Sequence, residues 1–187
     1  MSAAPAMQDE LTLIAQAQHG ARESFGELVR RNQEGVVSLV YRMCGDIELA
    51  EDAAQEAFLR AWQNLSGYQP KAPFRNWLYR IAANVALDVL RRERATVDVD
   101  ELPLVAVEDS PDDSLEMAER QEYVRRAVLA LPTTSRVVLL LREYEGLSYK
   151  EIADVLNIPL GTVMSRLNYA RSKLREALAP YLQVEVE

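Results

Sequence analysis

The sequence has almost none of the residues from which disulfides and metal sites are built. Among its 187 residues there is one cysteine, Cys44, and one histidine, His19. A single cysteine excludes an intrachain disulfide, and one cysteine with one histidine cannot assemble a Cys/His metal site. Cys44 falls on an apolar helical stripe, which favours core packing over a redox role. We therefore expect no metal and no other cofactor.

Long apolar runs and a cationic leader are also missing. The N-terminal segment MSAAPAMQDE contains neither a cationic side chain nor an apolar run. No later stretch approaches the roughly 20 apolar residues that span a bilayer. With 49% apolar and 27% charged residues, the composition is ordinary for a globular chain. These features predict a cytoplasmic protein with no membrane insertion of its own.

Groups of residues suited to catalysis are equally scarce. The candidates for acid/base chemistry are the acidic pairs Glu51/Asp52 and Asp112/Asp113. The first pair lies on a predicted exposed helix and the second in a predicted linker, without a histidine, a cysteine or a glycine-rich loop beside them. The sequence therefore predicts a binding protein and not an enzyme.

What the sequence does contain is helical periodicity, because apolar residues recur every three or four positions through most of the chain. The N-terminal part is expected to form helices over residues 9–19, 24–45, 47–65 and 74–92. The helix over 47–65 has a predicted inward face of Ala50, Ala53, Ala54, Ala57, Phe58, Ala61, Trp62 and Leu65. Its predicted outward face comprises Glu48, Glu51, Asp52, Gln55, Glu56 and Arg60. The predicted fold class is all-α.

Acidic side chains are concentrated in one segment. The whole chain has a formal net charge of −8, and residues 96–122 alone contain ten acidic residues and one basic residue. Two prolines also interrupt this segment, which is typical of a solvated linker. We therefore predict two small helical domains, over residues 1–95 and 116–187, joined by an acidic flexible linker over 96–115.

A tight turn between two helices is indicated in the second domain. Ser148, with Glu151 three residues later, has the capping-box pattern that starts a helix. Asn157 tolerates the left-handed conformation that a tight turn requires. A new helix is then expected to start at Gly161 or Thr162. This is the helix-turn-helix arrangement, in which the second helix enters the DNA major groove.

The second helix of this motif is strongly cationic. Residues 161–175 contain four cationic side chains and no acidic one. Such a helix suits DNA phosphates first and base edges second. The candidate duplex contacts are Thr162, Ser165, Arg166, Tyr169, Arg171 and Lys173. The alternative is an exposed terminal helix whose cations are merely solvated.

A second polar ridge lies on the predicted helix over 74–92. Arg80, Asn84, Asp88 and Arg91 follow one another at steps of four, four and three residues. Arg80 and Asn84 suit phosphate and base edges, and the preceding loop GYQPKAPF offers aromatic and proline surfaces to an unstacked base. A solvated face with an Asp88/Arg91 pair explains the ridge as well, and the residues alone favour it slightly.

Three blocks of the sequence together resemble a group IV, or extracytoplasmic function, sigma factor of bacterial RNA polymerase. The blocks are EDAAQEAFLRAW, FRNWLYRIAANVALDVLRR and, after the acidic linker, LPTTSRVVLLLREYEGLSYKEIADVLNIPLGTVMSRLNYARSKLREAL. The resemblance covers roughly residues 10–180. It implies a sigma-2 and a sigma-4 domain that bind core polymerase and read two promoter elements, with an anti-sigma factor as a further partner.

The resemblance also assigns roles to residues. The acidic face with Glu48, Asp52, Gln55 and Glu56 would meet the clamp of the largest polymerase subunit. The melted −10 strand would be held by Tyr68, Lys71, Arg80, Asn84 and Arg91. The cationic helix would read the −35 duplex. Met164 and Tyr169 stand where many family members have a cation, so the bases that are read are left open, and a conventional dimeric helix-turn-helix regulator is the alternative function.

Overall fold

The computed structural model describes the backbone of residues 4–96 and 113–182 and the side chains of residues 9–93 and 119–179. Every regular element in these ranges is a helix, which confirms the all-α prediction. None of the helices in these ranges has the length and apolar character needed to cross a membrane. Helix extends to Thr96 and resumes at Asp113, so the predicted linker overlaps helix at both ends. Its remainder, with the apolar run LPLVAV, lies outside the described residues.

The helices divide into two compact units. The first contains most of the helices before the linker. Their bounds are α1 (Ala4–Gln18), α2 (Arg22–Cys44), α3 (Ile47–Asn64), a 3₁₀ turn (Leu65–Gly67) and α4 (Phe74–Thr96). The sequence predicted all four α-helices, although α1 begins earlier than expected. Buried side chains such as Leu28, Leu39 and Leu78 form the core of this unit.

Helix α3 packs through its smallest residues. Its five buried residues are all alanines of the predicted inward face, namely Ala50, Ala53, Ala54, Ala57 and Ala61. Asp46 starts the helix, because its extended backbone and its side chain, which accepts a 2.9 Å hydrogen bond from the Leu49 N–H, form an N-cap. The alanine face turns inward, and the acidic face of the same helix is consequently left to solvent.

The second unit contains the helices after the linker. They are α5 (Asp113–Leu129), α6 (Thr133–Glu143), α7 (Tyr149–Leu156) and α8 (Leu160–Leu182). The core of the unit includes Leu140, Leu141, Ile152, Val163 and Leu167, each at most 1% exposed. Helix α5 is tied to the far end of α8 by the Tyr123 hydroxyl, which donates a 2.7 Å hydrogen bond to the Ala177 carbonyl.

The turn between α7 and α8 has the predicted geometry. Ser148 and Glu151 form both hydrogen bonds of the capping box, and Asn157 lies in the left-handed region with φ 51° and ψ 50°. Three residues separate the two helices. Ile158 N–H donates a 3.1 Å hydrogen bond to the Ala153 carbonyl, so a carbonyl at the end of α7 is satisfied within the turn.

In the second unit, α6 and α8 begin earlier than predicted, and each follows a proline. The apolar periodicity after Pro132 predicts a helix from Ser135 to about Tyr144, and α6 starts at Thr133. Helix α8, expected from residue 161 or 162, starts at Leu160. The Pro132 carbonyl accepts from the N–H groups three and four residues later at 2.9 Å, and Pro159 does the same at 2.9 and 3.2 Å. Proline has a helix-compatible φ, so these helices start directly after it.

Gly35 is required where α2 passes Tyr79 of α4. A Cβ at Gly35 would lie 2.6 Å from the Tyr79 hydroxyl oxygen, and that side chain is only 1% exposed. We expect Gly35→Ala to lower the free energy of unfolding by about 1–3 kcal/mol, as overpacking does. Gly26→Ala is the matched control, because Gly26 lies on the same helix with open space around it. Equal denaturation midpoints for the two variants would contradict the close packing.

Candidate protein and nucleic-acid interfaces

The outward face of α3 is acidic and open. Glu48, Asp52 and Gln55 are exposed. They make no side-chain hydrogen bond or ion pair with any residue that the structure describes. Glu56 differs, because its carboxylate accepts a 2.7 Å hydrogen bond from Arg60 Nε one turn later. At least two carboxylates of this face, those of Glu48 and Asp52, are therefore available to a basic partner.

An apolar groove of about 900 Å³ adjoins this face, between α2 and α3. We call it the α2/α3 groove. Gln55 belongs both to the acidic face and to the groove. The groove is lined by Arg22, Phe25, Val29, Gln33, Glu34 and Val37 of α2 and by Glu51, Ala54, Gln55, Phe58, Leu59 and Trp62 of α3.

The groove corrects one sequence-based expectation. Phe58 and Trp62 were predicted to point into the core, but both are only half-buried, and Leu59 between them is 52% exposed. The Trp62 ring packs against the Phe25 ring at a tilt of 52°, with ring centroids 4.9 Å apart, and both rings line the groove. Apolar surface in an open concavity is typical of a site that binds another macromolecule.

Tyr68 lies in the core and not on the surface of the loop between α3 and α4. Its side chain is 7% exposed, its ring lies against those of Phe74 and Trp77, and its hydroxyl donates a 2.8 Å hydrogen bond to the Ala72 carbonyl. Burial raises the pKa of the phenol. The idea that this ring is free to stack on a base does not fit its position, because Tyr68 is used to anchor the loop.

Gln18 anchors the same loop from α1. Its amide nitrogen donates to the carbonyls of Leu65 and Tyr68 at 3.0 and 2.9 Å. This contact was not predictable from local sequence patterns, since the partners are about fifty residues apart in the chain. The loop is therefore held at both ends, and Lys71 near its tip remains exposed.

The ridge on α4 is a solvent-facing strip. Arg80, Asn84 and Arg91 are exposed, and Asp88 between them is half-buried. Arg80 and Asn84 make no side-chain hydrogen bond or ion pair within the described part of the chain. Because residues spaced by four lie on the same side of a helix, the two side chains are neighbours, one turn apart. Two polar side chains at this spacing, without partners among the described residues, can bind one extended nucleic-acid strand.

Helix α8 turns three successive apolar residues inward. Val163, Leu167 and Ala170 are at most 1% exposed, and they fix which side of the helix faces outward. Of the candidate duplex contacts, Ser165, Tyr169, Arg171 and Lys173 are exposed, and Thr162 and Arg166 are half-buried. All six therefore have at least part of their side chain in reach of a ligand.

At 100° per residue, the outward side of α8 has two flanks. Thr162, Arg166, Tyr169 and Lys173 lie on one of them. The other carries residues that were not predicted as contacts, Met164 and Asn168, together with Arg171. Ser165 lies between the flanks.

Two cations of α8 already have acidic partners. Arg171 donates through Nε and Nη2 to one Glu143 oxygen, at 3.2 and 2.7 Å, and Lys173 Nζ lies 2.7 Å from a Glu176 oxygen. These hydrogen bonds raise the pKa of both cations. Arg166 has no side-chain hydrogen bond or ion pair among the described residues. The charge of Arg166 is thus the more available to DNA.

Two protein families match this chain, one before the linker and one after it. The family described as Sigma-70 region 2 matches residues 28–96. The family described as Sigma-70, region 4 matches residues 121–174. The first range covers most of α2 and all of α3 and α4, and the second contains the helix-turn-helix.

Curated bacterial proteins align with nearly the whole chain. The ECF RNA polymerase sigma factor SigW of Bacillus subtilis is 34% identical over 176 residues, which cover 88% of this chain and 94% of SigW. The chain belongs to the ECF sigma factors. The RNA polymerase sigma-H factor of Pseudomonas aeruginosa is 35% identical to this sigma factor, with 94% and 97% of the two chains covered. The ECF RNA polymerase sigma-E factor of Escherichia coli K12 is 34% identical, with 95% and 100% covered.

Solved sigma-factor structures share the fold. CnrH, solved in complex with the cytosolic domain of CnrY, matches this sigma factor with a TM-score of 0.69 and 30% identity, over 92% of this chain and 98% of CnrH. RpoE of Bartonella quintana, solved with the anti-sigma factor NepR, gives a TM-score of 0.65 over 84% and 98% of the two chains. At 19% identity, the second match supports the fold alone.

These findings confirm the resemblance that the sequence blocks carried. The protein is a transcription initiation factor, and the dimeric helix-turn-helix regulator is not favoured. The contact residues and the exact domain limits stay predictions.

Proposed function

We propose that this sigma factor recruits core RNA polymerase through the acidic face of α3 and the α2/α3 groove, and that it directs the enzyme to promoters through α4 and α8. The observation that carries this proposal is the exposed acidic face beside an open apolar groove. A conventional repressor needs no such surface. Carboxylates at its edge would orient a basic partner, and the groove would supply apolar burial.

The −10 strand is proposed to lie along the ridge of α4. Arg80 and Lys71 offer positive charge to the phosphates, and Asn84 offers an amide to base edges. Arg91 extends the ridge by two turns. Tyr68 contributes indirectly, since it holds the loop that presents Lys71.

The −35 duplex is proposed to be read by α8. Arg166, with Ser165 and Thr162, lies toward the N-terminal end of the helix, where recognition helices contact base edges. Arg171 and Lys173 lie farther along and suit phosphates, which they would reach by exchanging their acidic partners.

Regulation by an anti-sigma factor is proposed from the membership in the ECF sigma factors, and CnrH, which is 30% identical to this chain, was solved with a protein partner, the cytosolic domain of CnrY. The site of action would be the cytoplasm, where polymerase and promoters meet. No catalytic role is assigned to the acidic pairs of the chain.

Reconstitution with core polymerase tests the proposal as a whole. The full chain is expected to form a holoenzyme that starts transcription at a defined set of promoters in a genome-wide run-off assay. If the protein never binds core polymerase, and instead protects paired half-sites by itself, the proposed function is wrong and the protein is a conventional dimeric helix-turn-helix regulator.

Asn84 provides a specific test of strand capture. We expect Asn84→Ala to lower open-complex formation on a duplex promoter by about 1–3 kcal/mol, the value of a good base contact. A template with a pre-melted, non-consensus bubble should be affected far less, because no specific base is read there. Permanganate footprinting of the melted strand measures the effect.

Gln63→Ala is the matched control, since Gln63 is an exposed helical amide outside the ridge. It should open the promoter as the wild type does. Wild-type opening by Asn84→Ala would instead identify the ridge as a solvated face.

A further inference from the structure

One flank of α8 combines an exposed apolar side chain with an unused amide. Met164 is 47% exposed, although methionine is ordinarily buried, and Leu160 one turn earlier is 49% exposed. Asn168, one turn after Met164, is exposed and makes no side-chain hydrogen bond with the described residues. Side chains four positions apart on a helix are neighbours, so Met164 and Asn168 form one continuous surface.

We propose that Met164 and Asn168 determine base specificity by reading A·T pairs in the −35 duplex, Met164 through a thymine methyl group and Asn168 through an adenine. This inference rests on the proposed placement of α8 in the major groove. The cationic residues of α8 leave recognition of A·T pairs unexplained, because arginine and lysine contact guanine and the phosphates.

The chemistry of the two side chains matches one type of base pair. In the major groove, thymine presents a C5 methyl group, which is the apolar feature of a base edge, and adenine presents an N6 donor beside an N7 acceptor. An asparagine amide carries a donor and an acceptor and can satisfy both adenine groups at once. A G·C pair offers no methyl group to Met164, so the flank discriminates against it.

Charge identifies DNA as the occupant of this flank. Arg171 and Arg175 lie on the same side of α8 as Met164, and residues 161–175 contain no acidic side chain. Arg171 also holds Glu143 of α6, whereas Arg175 has no acidic partner among the described residues. An apolar patch that bound a protein helix would not require cations beside it, whereas a polyanion does. Met164 is also close to the start of α8, the part of a recognition helix that contacts bases.

The test uses the holoenzyme assembled from core polymerase and the full chain. Duplexes bound in preference are selected from a pool randomised over the −35 region. In the selected duplex, each thymine is replaced in turn by deoxyuridine, which lacks only the methyl group, and each adenine by 7-deazaadenine, which lacks the N7 acceptor. Affinity is measured for the wild type, Met164→Ala, Asn168→Ala and Ile47→Ala.

We expect deoxyuridine at one position to weaken wild-type binding about fourfold, as the loss of one buried methyl group does. Met164→Ala should bind both duplexes equally. Deazaadenine at one position should cost the wild type about two- to tenfold, the value of one hydrogen bond, and should cost Asn168→Ala nothing. Ile47→Ala removes an equally exposed apolar side chain from α3 and should keep both sensitivities.

Several results would overturn this inference. They are selection of a −35 duplex without A·T pairs, equal deoxyuridine sensitivity in the wild type and Met164→Ala, and a Met164→Ala defect in polymerase association alone, which would assign the patch to a protein contact. A wrong placement of α8 in the major groove would give a different result. The holoenzyme would then select no −35 sequence, and Arg166→Ala would not change its affinity for DNA.

Discussion

Replacing Asp52 and Glu56 together by lysine is expected to abolish, or weaken at least a hundredfold, the association with core RNA polymerase. The change moves the charge of the α3 face by four units, and charged groups across an interface set both encounter rate and register. A hundredfold loss corresponds to about 2.7 kcal/mol. Fluorescence titration of core polymerase with labelled protein measures the change.

The fold itself should tolerate this double reversal. Asp52 is exposed, and among the described residues Glu56 pairs only with the solvent-accessible Arg60, so the free energy of unfolding is expected to shift by about 1 kcal/mol or less. Glu23→Lys with Asp154→Lys is the matched control, since it reverses two exposed carboxylates elsewhere. If the Asp52/Glu56 variant binds polymerase as tightly as this control, the face has been assigned wrongly.

Removing the charge of Arg166 is expected to weaken promoter binding by the holoenzyme. Arg166 is half-buried on one flank of α8 and has no acidic partner among the described residues, so its guanidinium is available to the duplex. Arg166→Ala should weaken promoter binding by about 1–3 kcal/mol if the side chain reads a base. If the side chain contacts a phosphate, the substitution should instead reduce the slope of log affinity against log salt concentration by about one. Filter binding across a salt series, on a promoter and on a scrambled duplex, separates the two cases.

Core association should survive this substitution, which distinguishes it from the charge reversal on α3. Arg30→Ala removes an exposed arginine of α2 and serves as the control, with no expected effect on either duplex. If Arg166→Ala binds the promoter with the affinity and the salt dependence of the wild type, this flank of α8 does not contact the DNA.

Features of α7 and α8 that depend on neighbouring residues were predictable from the sequence. The capping box joins Ser148 and Glu151, which are three positions apart, and the left-handed turn depends on Asn157, a residue type that tolerates this conformation. The alanine face of α3 was predictable for a similar reason, because periodicity alone identifies the side that packs. The prolines before α6 and α8 were visible too, but their carbonyls start the helices one to two residues earlier than the pattern suggested.

Features that depend on distant residues were not predictable. Periodicity assigns Phe58 and Trp62 to an apolar side, yet it does not distinguish a closed core from an open groove. The burial of Tyr68 depends on Phe74, Trp77 and the amide of Gln18, and only the folded chain brings these together. The pairing of Arg171 with Glu143 joins residues 28 positions apart, so a helix without acids of its own is still partly neutralised.

In α8, different residues serve packing and the proposed DNA contacts, and this separation affects how promoter preference can evolve. Packing in the first half of the helix depends on Val163, Leu167 and Ala170, and the turn depends on Asn157. The positions proposed to face DNA are a separate set, and substitutions at exposed positions usually change stability by no more than about 0.5 kcal/mol. A gene duplicate could therefore acquire a new target sequence, one side chain at a time, without passing through an unfolded intermediate form.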